Sequence, residues 1–180
     1  MDIKILLSNI AETTEAFDVS GLSLNTKTLT KGDLFIALQG EKNHGAEYIN
    51  SAIENGCIGV LIEGRDVDCG VPIIRIDNLK PHLSWLAQNF YTKAKDVDLI
   101  AVTGTNGKTS VSHYISQLLD FLEVNNGVIG TLGISKVEKK SINTTPDIFS
   151  IYSSLEEYSS QGIKLAIIEA SSHASAPPEG

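Results

Sequence analysis

The 180-residue sequence holds two cysteines, one tryptophan, one methionine and no long apolar run. Cys57 and Cys69 are not in CxxC spacing and have no histidine cluster beside them, which argues against a zinc site or a disulfide framework. They read as thiols of a reducing compartment. Lys and Arg number 14 against 22 Asp and Glu, a net charge of −8. That balance argues against a general nucleic-acid binder, which needs clustered cations along a phosphate backbone. It leaves open a nucleotide ligand, held by a few local donors. No apolar stretch approaches the ~20 residues that a membrane helix requires. The opening "MDIKILLSNI" has an acidic second residue and too short an apolar run for a signal peptide. A cytoplasmic protein without membrane insertion is expected. Repeats and low-complexity tracts are also missing.

Hydrophobic residues at 42% and charged residues at 20% are enough for a sizeable core. Short β-rich runs alternate with amphipathic helical stretches, the pattern of an α/β fold. In the first half, residues 33–38, 58–63 and 73–76 read as strands. "GAEYINSAIENG" reads as a helix with Tyr48, Ile49, Ala52 and Ile53 on one face and Gly56 as its stop. "NLKPHLSWLAQNFYTKA" reads as another, with Leu79, Leu83, Leu86, Ala87, Phe90 and Tyr91 in one stripe and Pro81 in its first turn. A polar linker at 93–98 sets a boundary near residue 95, giving domains at 1–95 and 96–180. The second half reads as a strand (99–102), a turn, and a helix from Lys108 with Val111, Ile115, Leu118, Leu119 and Leu122 at helical spacing. "NNG" reads as that helix's stop. "VIGTLGI" is extended, "DIFSIYSSLEEYSSQG" is a helix, and "KLAIIEA" is a buried strand.

"AVTGTNGKTS" places two glycines, a lysine and a hydroxyl directly after an apolar strand. Strand, glycine turn and helix together are the context that a phosphate loop requires. Unpaired N–H groups and the partial positive charge of a helix N-terminus stabilise an anion there. Gly104 and Gly107 let the backbone curl inward, Lys108 brings a full charge, and Thr109 a hydroxyl for Mg²⁺. The strict GxxxxGK[ST] pattern would place glycine at 102, where this chain has Val102. A helix-capping turn with an exposed lysine is the plainer alternative. Glu169 closes an apolar strand, at the end of a parallel sheet where ligand groups gather. It is a candidate to hold Mg²⁺ opposite Thr109, with His173 a second candidate. His113 and His82 read as structural or exposed. "NTTPD" reads equally as a helix cap supplied by Asp147 or Thr145.

"TGTNGKTS", "GVIGTLG", "NTTPD" and "IIEASSH", in that order and spacing, resemble the Mur ligases of peptidoglycan synthesis. The match is closest to the branch that adds a diamino acid to UDP-N-acetylmuramoyl-L-alanyl-D-glutamate. "LNTKTLTKGDLFIALQGEKNHG" resembles its uridine-binding segment. The resemblance implies a small UDP-binding α/β domain, then the start of a P-loop-type, mostly parallel ATPase sheet. It implies that ATP phosphorylates a substrate carboxylate to an acyl phosphate, which an amine attacks to form an amide. Under it, Thr103, Gly104, Thr105, Asn106, Gly107, Lys108 and Thr109 bind ATP, and Lys108, Glu169 and His173 serve catalysis. Thr109, Glu169 and His173 attend Mg²⁺. Leu24, Thr26, Glu41, Lys42 and Asn43 line the uridine pocket, and Asn143, Thr144, Thr145 and Ser171 meet the muramoyl peptide.

The chain departs from the pattern in places. Asn25, Thr26 and Lys27 stand where the family has Asp-Ser-Arg, and His44-Gly45 where it has Asp-Gly. Pro177 and Glu179 stand where it has a substrate-touching Gln and Arg. Another Mur-type or folylpolyglutamate-type ligase, or a non-catalytic nucleotide-binding module, would share the loop. The family's carbamylated lysine, the rest of its central sheet and its third domain have no counterpart here. The expectation is therefore the N-terminal portion of a ligase that is monomeric at full length, with apolar sheet edges unpaired and poor solubility. The 180-residue chain is expected not to ligate by itself; amide formation by the purified chain, followed by phosphate release and product mass, would overturn this.

Overall fold

The computed structural model describes residues 1–40, 43–136 and 146–170. The chain divides into two compact units, Met1–Phe90 and Tyr91–Gly180. In the first unit a short helix α1 (Ile3–Leu7) is capped by Asp2, which accepts from the Lys4 N–H. Strands β1 (Gly21–Ser23), β2 (Asp33–Ala37), β3 (Gly59–Glu63) and β4 (Ile73–Ile76) follow. They form one parallel sheet in chain order, with Leu22 beside Leu34, Phe35 beside Val60 and Leu61 beside Ile74. Every residue of β2 and four of the five in β3 are buried. Central parallel strands covered on both faces read as unbroken apolar runs, as these do. On one face Phe35, Ala37, Val60 and Ile62 pack with Ile49 and Ala52 of α2 (Ile49–Glu54) and with Cys57. The helix α3 (Leu83–Phe90) packs against α1.

The two helices expected in this unit are shorter than their apolar spacing suggests. A 3₁₀ turn, Gly45–Tyr48, precedes α2, and another, Lys80–His82, precedes α3. His44 decides the first. Its ring is buried, Nδ1 accepts from the Ala46 N–H at 2.9 Å, and Nε2 lies 2.9 Å from the Glu63 carbonyl. A carbonyl only accepts, so Nε2 carries the proton and the ring is neutral. The histidine thus acts as the cap of the turn, work that a short acidic side chain would also do. The Glu63 carboxylate accepts from the backbone N–H groups of Gln39, Leu79 and Lys80. It ties together the chain leaving β2, the end of β3 and the turn before α3.

The second unit contains β5 (Asp98–Thr103), α4 (Lys108–Phe121), β6 (Asn126–Gly130), β7 (Gly133–Ile134), α5 (Ile148–Ser160) and β8 (Leu165–Ala170). Its sheet runs β5-β8-β6-β7. β5 and β6 are each parallel to β8, and β7 turns back antiparallel to β6. β8 is therefore central, and Leu165–Ala170 is the buried strand that its apolar run predicts. Among the described residues β5 has a neighbour on one side only, and Leu99 is 52% exposed. Asp147 caps α5, accepting from the Phe149 and Ser150 N–H groups, so the capping reading of "NTTPD" holds for Asp147. Thr145 lies outside the described residues.

Two expectations for α4 need correction. Its stop is not the "NNG" triplet: the helix ends at Phe121 and the chain turns at Glu123, with φ of 59°. Asn126 and Gly127 already belong to β6. Asn126 is fully buried and bonds Ser116, Asp120 and Val124, pinning the helix end to the strand. The expected apolar stripe is also split. Ile115 and Leu119 are half-buried, whereas Val111, Leu118 and Leu122 are exposed, together with Tyr114 and Phe121. Small Ser112, fully buried, lies on the inward face and lets the helix approach the sheet.

Among the described residues Tyr158 of α5 is the largest fully buried side chain, and the phenol end of its ring lies against Gly127. A Cβ at Gly127 would sit 2.7 Å from the phenol oxygen and nearer still to the ring. Gly127→Ala is expected to cost about 1–3 kcal/mol through overpacking, read from urea unfolding curves. Burial pushes the Tyr158 phenol up to about 12, with the charge of Glu157 acting in the same direction. Folding therefore favours the protonated phenol. That stability is complete below the unfolded value of 10.0 and is lost as pH rises through about 12. Melts across this range are expected to show a steeper alkaline loss for the native protein than for Tyr158→Phe.

Candidate functional site

The site lies at the carboxyl ends of β5, β8 and β6. β5 delivers the chain into the glycine turn, and Gly107, with φ of 79°, is the N-cap of α4. A side chain rarely adopts that left-handed conformation, which is why glycine stands there. No side chain caps this helix, in contrast to α5 with its Asp147 cap. The first-turn N–H groups of α4 have no intrahelical acceptors and face the turn. Lys108 reaches back across the loop, and its Nζ donates to the Gly104 carbonyl at 2.8 Å. Lys108 is half-buried rather than exposed, and the helix start carries a glycine N-cap without a side-chain cap.

Glu169 sits in β8 beside Val102 of β5 and is 8% exposed. Its Oε2 lies 3.0 Å from Thr109 Oγ1 and 3.1 Å from Thr131 Oγ1. The two hydroxyls are 2.9 Å apart. Three oxygen pairs are in contact, but the hydroxyls have only two protons between them. If both donate to the carboxylate, the hydroxyl–hydroxyl contact has no proton. The other carboxylate oxygen, Oε1, is buried without a hydrogen-bond partner among the described residues. Burying an unpaired carboxylate oxygen is costly. A small hard cation would relieve both problems. Octahedral Mg²⁺ with oxygens at about 2.0–2.1 Å has adjacent oxygens about 2.9 Å apart, close to the separations in this triad. Among the described residues no group of three His, Cys, Asp or Glu side chains is placed to hold a metal, so the fit rests on one carboxylate and two hydroxyls.

Gly130 makes room for this carboxylate. A Cβ there would collide with Glu169 Oε1 and lie 2.8 Å from its Cγ. Thr131 follows in the turn between β6 and β7. Thr131 lies within the "GVIGTLG" that resembles the family, and the resemblance implies no role for it. A hydroxyl directly after a strand ending in glycine was the available signal. His113, set aside as structural or exposed, is half-buried and lines a recess of about 90 Å³ with Glu169, Gly130 and Leu132.

The structure brings Thr103, Gly104, Thr105, Asn106, Gly107, Lys108, Thr109 and Glu169 to one end of one sheet. In the first unit, half-buried Leu24 follows β1, and the half-buried Thr26 offers its carbonyl to the Asn55 side chain at 3.1 Å. Asn43 is exposed, its amide 3.3 Å from the Tyr48 hydroxyl. Glu41, Lys42, Asn143, Thr144, Thr145, Ser171 and His173 lie outside the described residues, as do Pro177 and Glu179.

A helix start without a side-chain cap, a folded-back lysine and a carboxylate–hydroxyl triad are the features expected of a phosphate loop at the end of a parallel sheet. Family models agree: "Mur ligase family, catalytic domain" matches residues 18–91 and "Mur ligase middle domain" matches residues 102–178. The chain belongs to the Mur ligase family. It is 36% identical to the UDP-N-acetylmuramoyl-L-alanyl-D-glutamate–2,6-diaminopimelate ligase of Wigglesworthia glossinidia brevipalpis, over 94% of this chain and 36% of the relative. A solved structure of a ligase with the same name has a TM-score of 0.71 at 27% identity, covering 97% of this chain and 37% of its own. The MurF ligase of Thermotoga maritima in complex with ADP has a TM-score of 0.56 at 25% identity, covering 87% of this chain and 33% of its own. The chain thus spans about a third of the length of these relatives.

Thr131→Val removes one of two hydroxyl donors to a buried carboxylate. It is expected to destabilise the second unit by about 1.5–3 kcal/mol, the range for hydrogen bonds to charged groups, as read from urea melts.

Proposed function

We propose that this chain provides the nucleotide-binding and uridine-binding parts of an ATP-dependent amide ligase of peptidoglycan precursor synthesis. The reaction is addition of a diamino acid, diaminopimelate or lysine, to UDP-N-acetylmuramoyl-L-Ala-D-Glu through an acyl phosphate. The observation that carries the reading is the Thr109–Thr131–Glu169 oxygen triad beside the uncapped start of α4. The family membership and the ligase names of the relatives support the same reading.

The roles follow from the chemistry of each group. A carboxylate resists attack by an amine until one of its oxygens becomes a phosphate leaving group. Backbone N–H groups of 104–109 cradle the phosphates, as the first turn of α4 has donors to spare. Lys108 exchanges its contact with the Gly104 carbonyl for the β- and γ-phosphates and so neutralises charge on the phosphoryl group in flight. Thr109, Thr131 and Glu169 would hold Mg²⁺, which when bound supplies further charge neutralisation at the phosphates. Glu169, being buried, is held in place by β8 and needs little reorganisation. His173 is kept as a further metal and catalytic candidate. Asn143, Thr144, Thr145 and Ser171 are proposed for the muramoyl peptide, and Leu24, Thr26, Glu41, Lys42 and Asn43 for uridine. The 1–95 and 96–180 division assigns these two tasks to two domains. A cytoplasmic location and a monomeric full-length enzyme complete the proposal. Among the described residues no helix is long and apolar enough to cross a membrane.

Lys108→Ala is expected to weaken ATP binding at least tenfold, about 1.4 kcal/mol or more, in calorimetric titrations of the 180-residue chain. Equal affinities for wild type and variant would remove the phosphate loop from the reading.

A further inference from the structure

The hairpin of β6 and β7 places Thr131 in the triad, and one buried side chain from another element closes that hairpin. Its base is the pair Val128 and Ser135. The Ser135 N–H donates to the Val128 carbonyl at 2.9 Å, and the Val128 N–H donates to Ser135 Oγ at 2.8 Å. The Tyr158 hydroxyl lies 2.7 Å from the Ser135 carbonyl and 3.1 Å from the Val128 carbonyl. Having one proton, it donates chiefly to the nearer oxygen, Ser135, and leans on the other. The β6–β7 ladder itself is brief, two residue pairs at Ile129–Ile134 and Gly130–Gly133. So short a ladder does little to fix the turn between its strands. The turn residue Leu132 is 78% exposed, so apolar packing does not anchor the tip. What holds the hairpin is its base, and Tyr158 fastens that base to α5.

We propose that Tyr158 is a positioning residue for the cation corner: its hydroxyl clasps Ser135 to Val128 and thereby keeps Thr131 Oγ1 opposite Glu169. The phenol touches neither nucleotide nor cation and acts only through the hairpin. The inference rests on the reading that the triad holds a divalent cation. The ring and the hydroxyl have separable tasks. The ring fills space against Gly127, whereas the hydroxyl alone makes the clasp. Phenylalanine keeps the first and deletes the second.

The test is ADP binding to the 180-residue chain, by calorimetry, with and without Mg²⁺. For Tyr158→Phe the Mg²⁺-free affinity is expected to stay within about twofold of wild type, while the gain on adding Mg²⁺ falls about five- to tenfold, the effect of roughly one hydrogen bond. Adding the substitution to Thr131→Val is expected to produce no further loss, because the clasp acts through Thr131. A structural role alone would lower both affinities together and add to Thr131→Val; either result overturns the inference. Ser135→Ala, which removes the Oγ acceptor from the same base, is expected to shift the Mg²⁺ gain in the same direction. An unchanged gain in that variant would also count against the clasp, even if Tyr158→Phe folds poorly. Absence of any Mg²⁺-dependent binding in the wild type would overturn the cation reading itself, and the clasp with it.

Discussion

A buried carboxylate facing two threonine hydroxyls is the constraint around which the second unit is organised. Glu169 is 8% exposed, one of its oxygens is shared by Thr109 and Thr131, and the other has no partner among the described residues. Left unpaired, such a group works against folding. The protein nonetheless holds it at the end of its central strand, leaves Gly130 without a side chain to make space, and brings hydroxyls from a helix and a hairpin to meet it. A carboxylate oxygen held under-satisfied in this way is one that a cation would complete.

The two longest helices of the second unit show the same principle from opposite sides. α5 is a structural helix, and Asp147 satisfies its first N–H groups. α4 begins on a left-handed glycine with no side-chain cap, so its first donors have no side-chain acceptor. The difference lies in a few residues before each helix. The burial of α4 fits this: its inward face is narrow, with Ser112 fully buried and Ile115 and Leu119 half-buried. Its outer face leaves Val111, Leu118 and Phe121 in solvent.

The first unit solves a different problem with similar means. Its all-parallel sheet buries two central strands, and the loops at their ends are fastened by side chains that meet backbone groups. Glu63 accepts three N–H groups from two separate segments, and neutral His44 caps the turn before α2. His44, standing where the family has Asp, caps this turn although its side chain is larger and buried.

Much of this was legible in the sequence because it is local. Apolar runs announced β2, β3, β4, β5 and β8; the glycines announced the turn before α4; the position of Asp147 before an amphipathic run announced a cap. β1 and α1 were missed because three- and five-residue elements have too little periodicity to register. The end of α4 was misplaced because a glutamate, not a glycine, takes the left-handed turn there, while the buried Asn126 is drawn into the strand by four hydrogen bonds. By itself, the sequence determined strand, loop and helix order and singled out the glycine turn and Glu169 as candidates. Only the tertiary structure decided that Thr131 joins Thr109 at that carboxylate, that Gly130 clears its path, and that Tyr158 closes the hairpin. These residues are 22, 38, 60 and 23 positions from their partners. Contacts over such separations leave no periodic trace in a chain, because they exist only once the sheet has set the order of its strands.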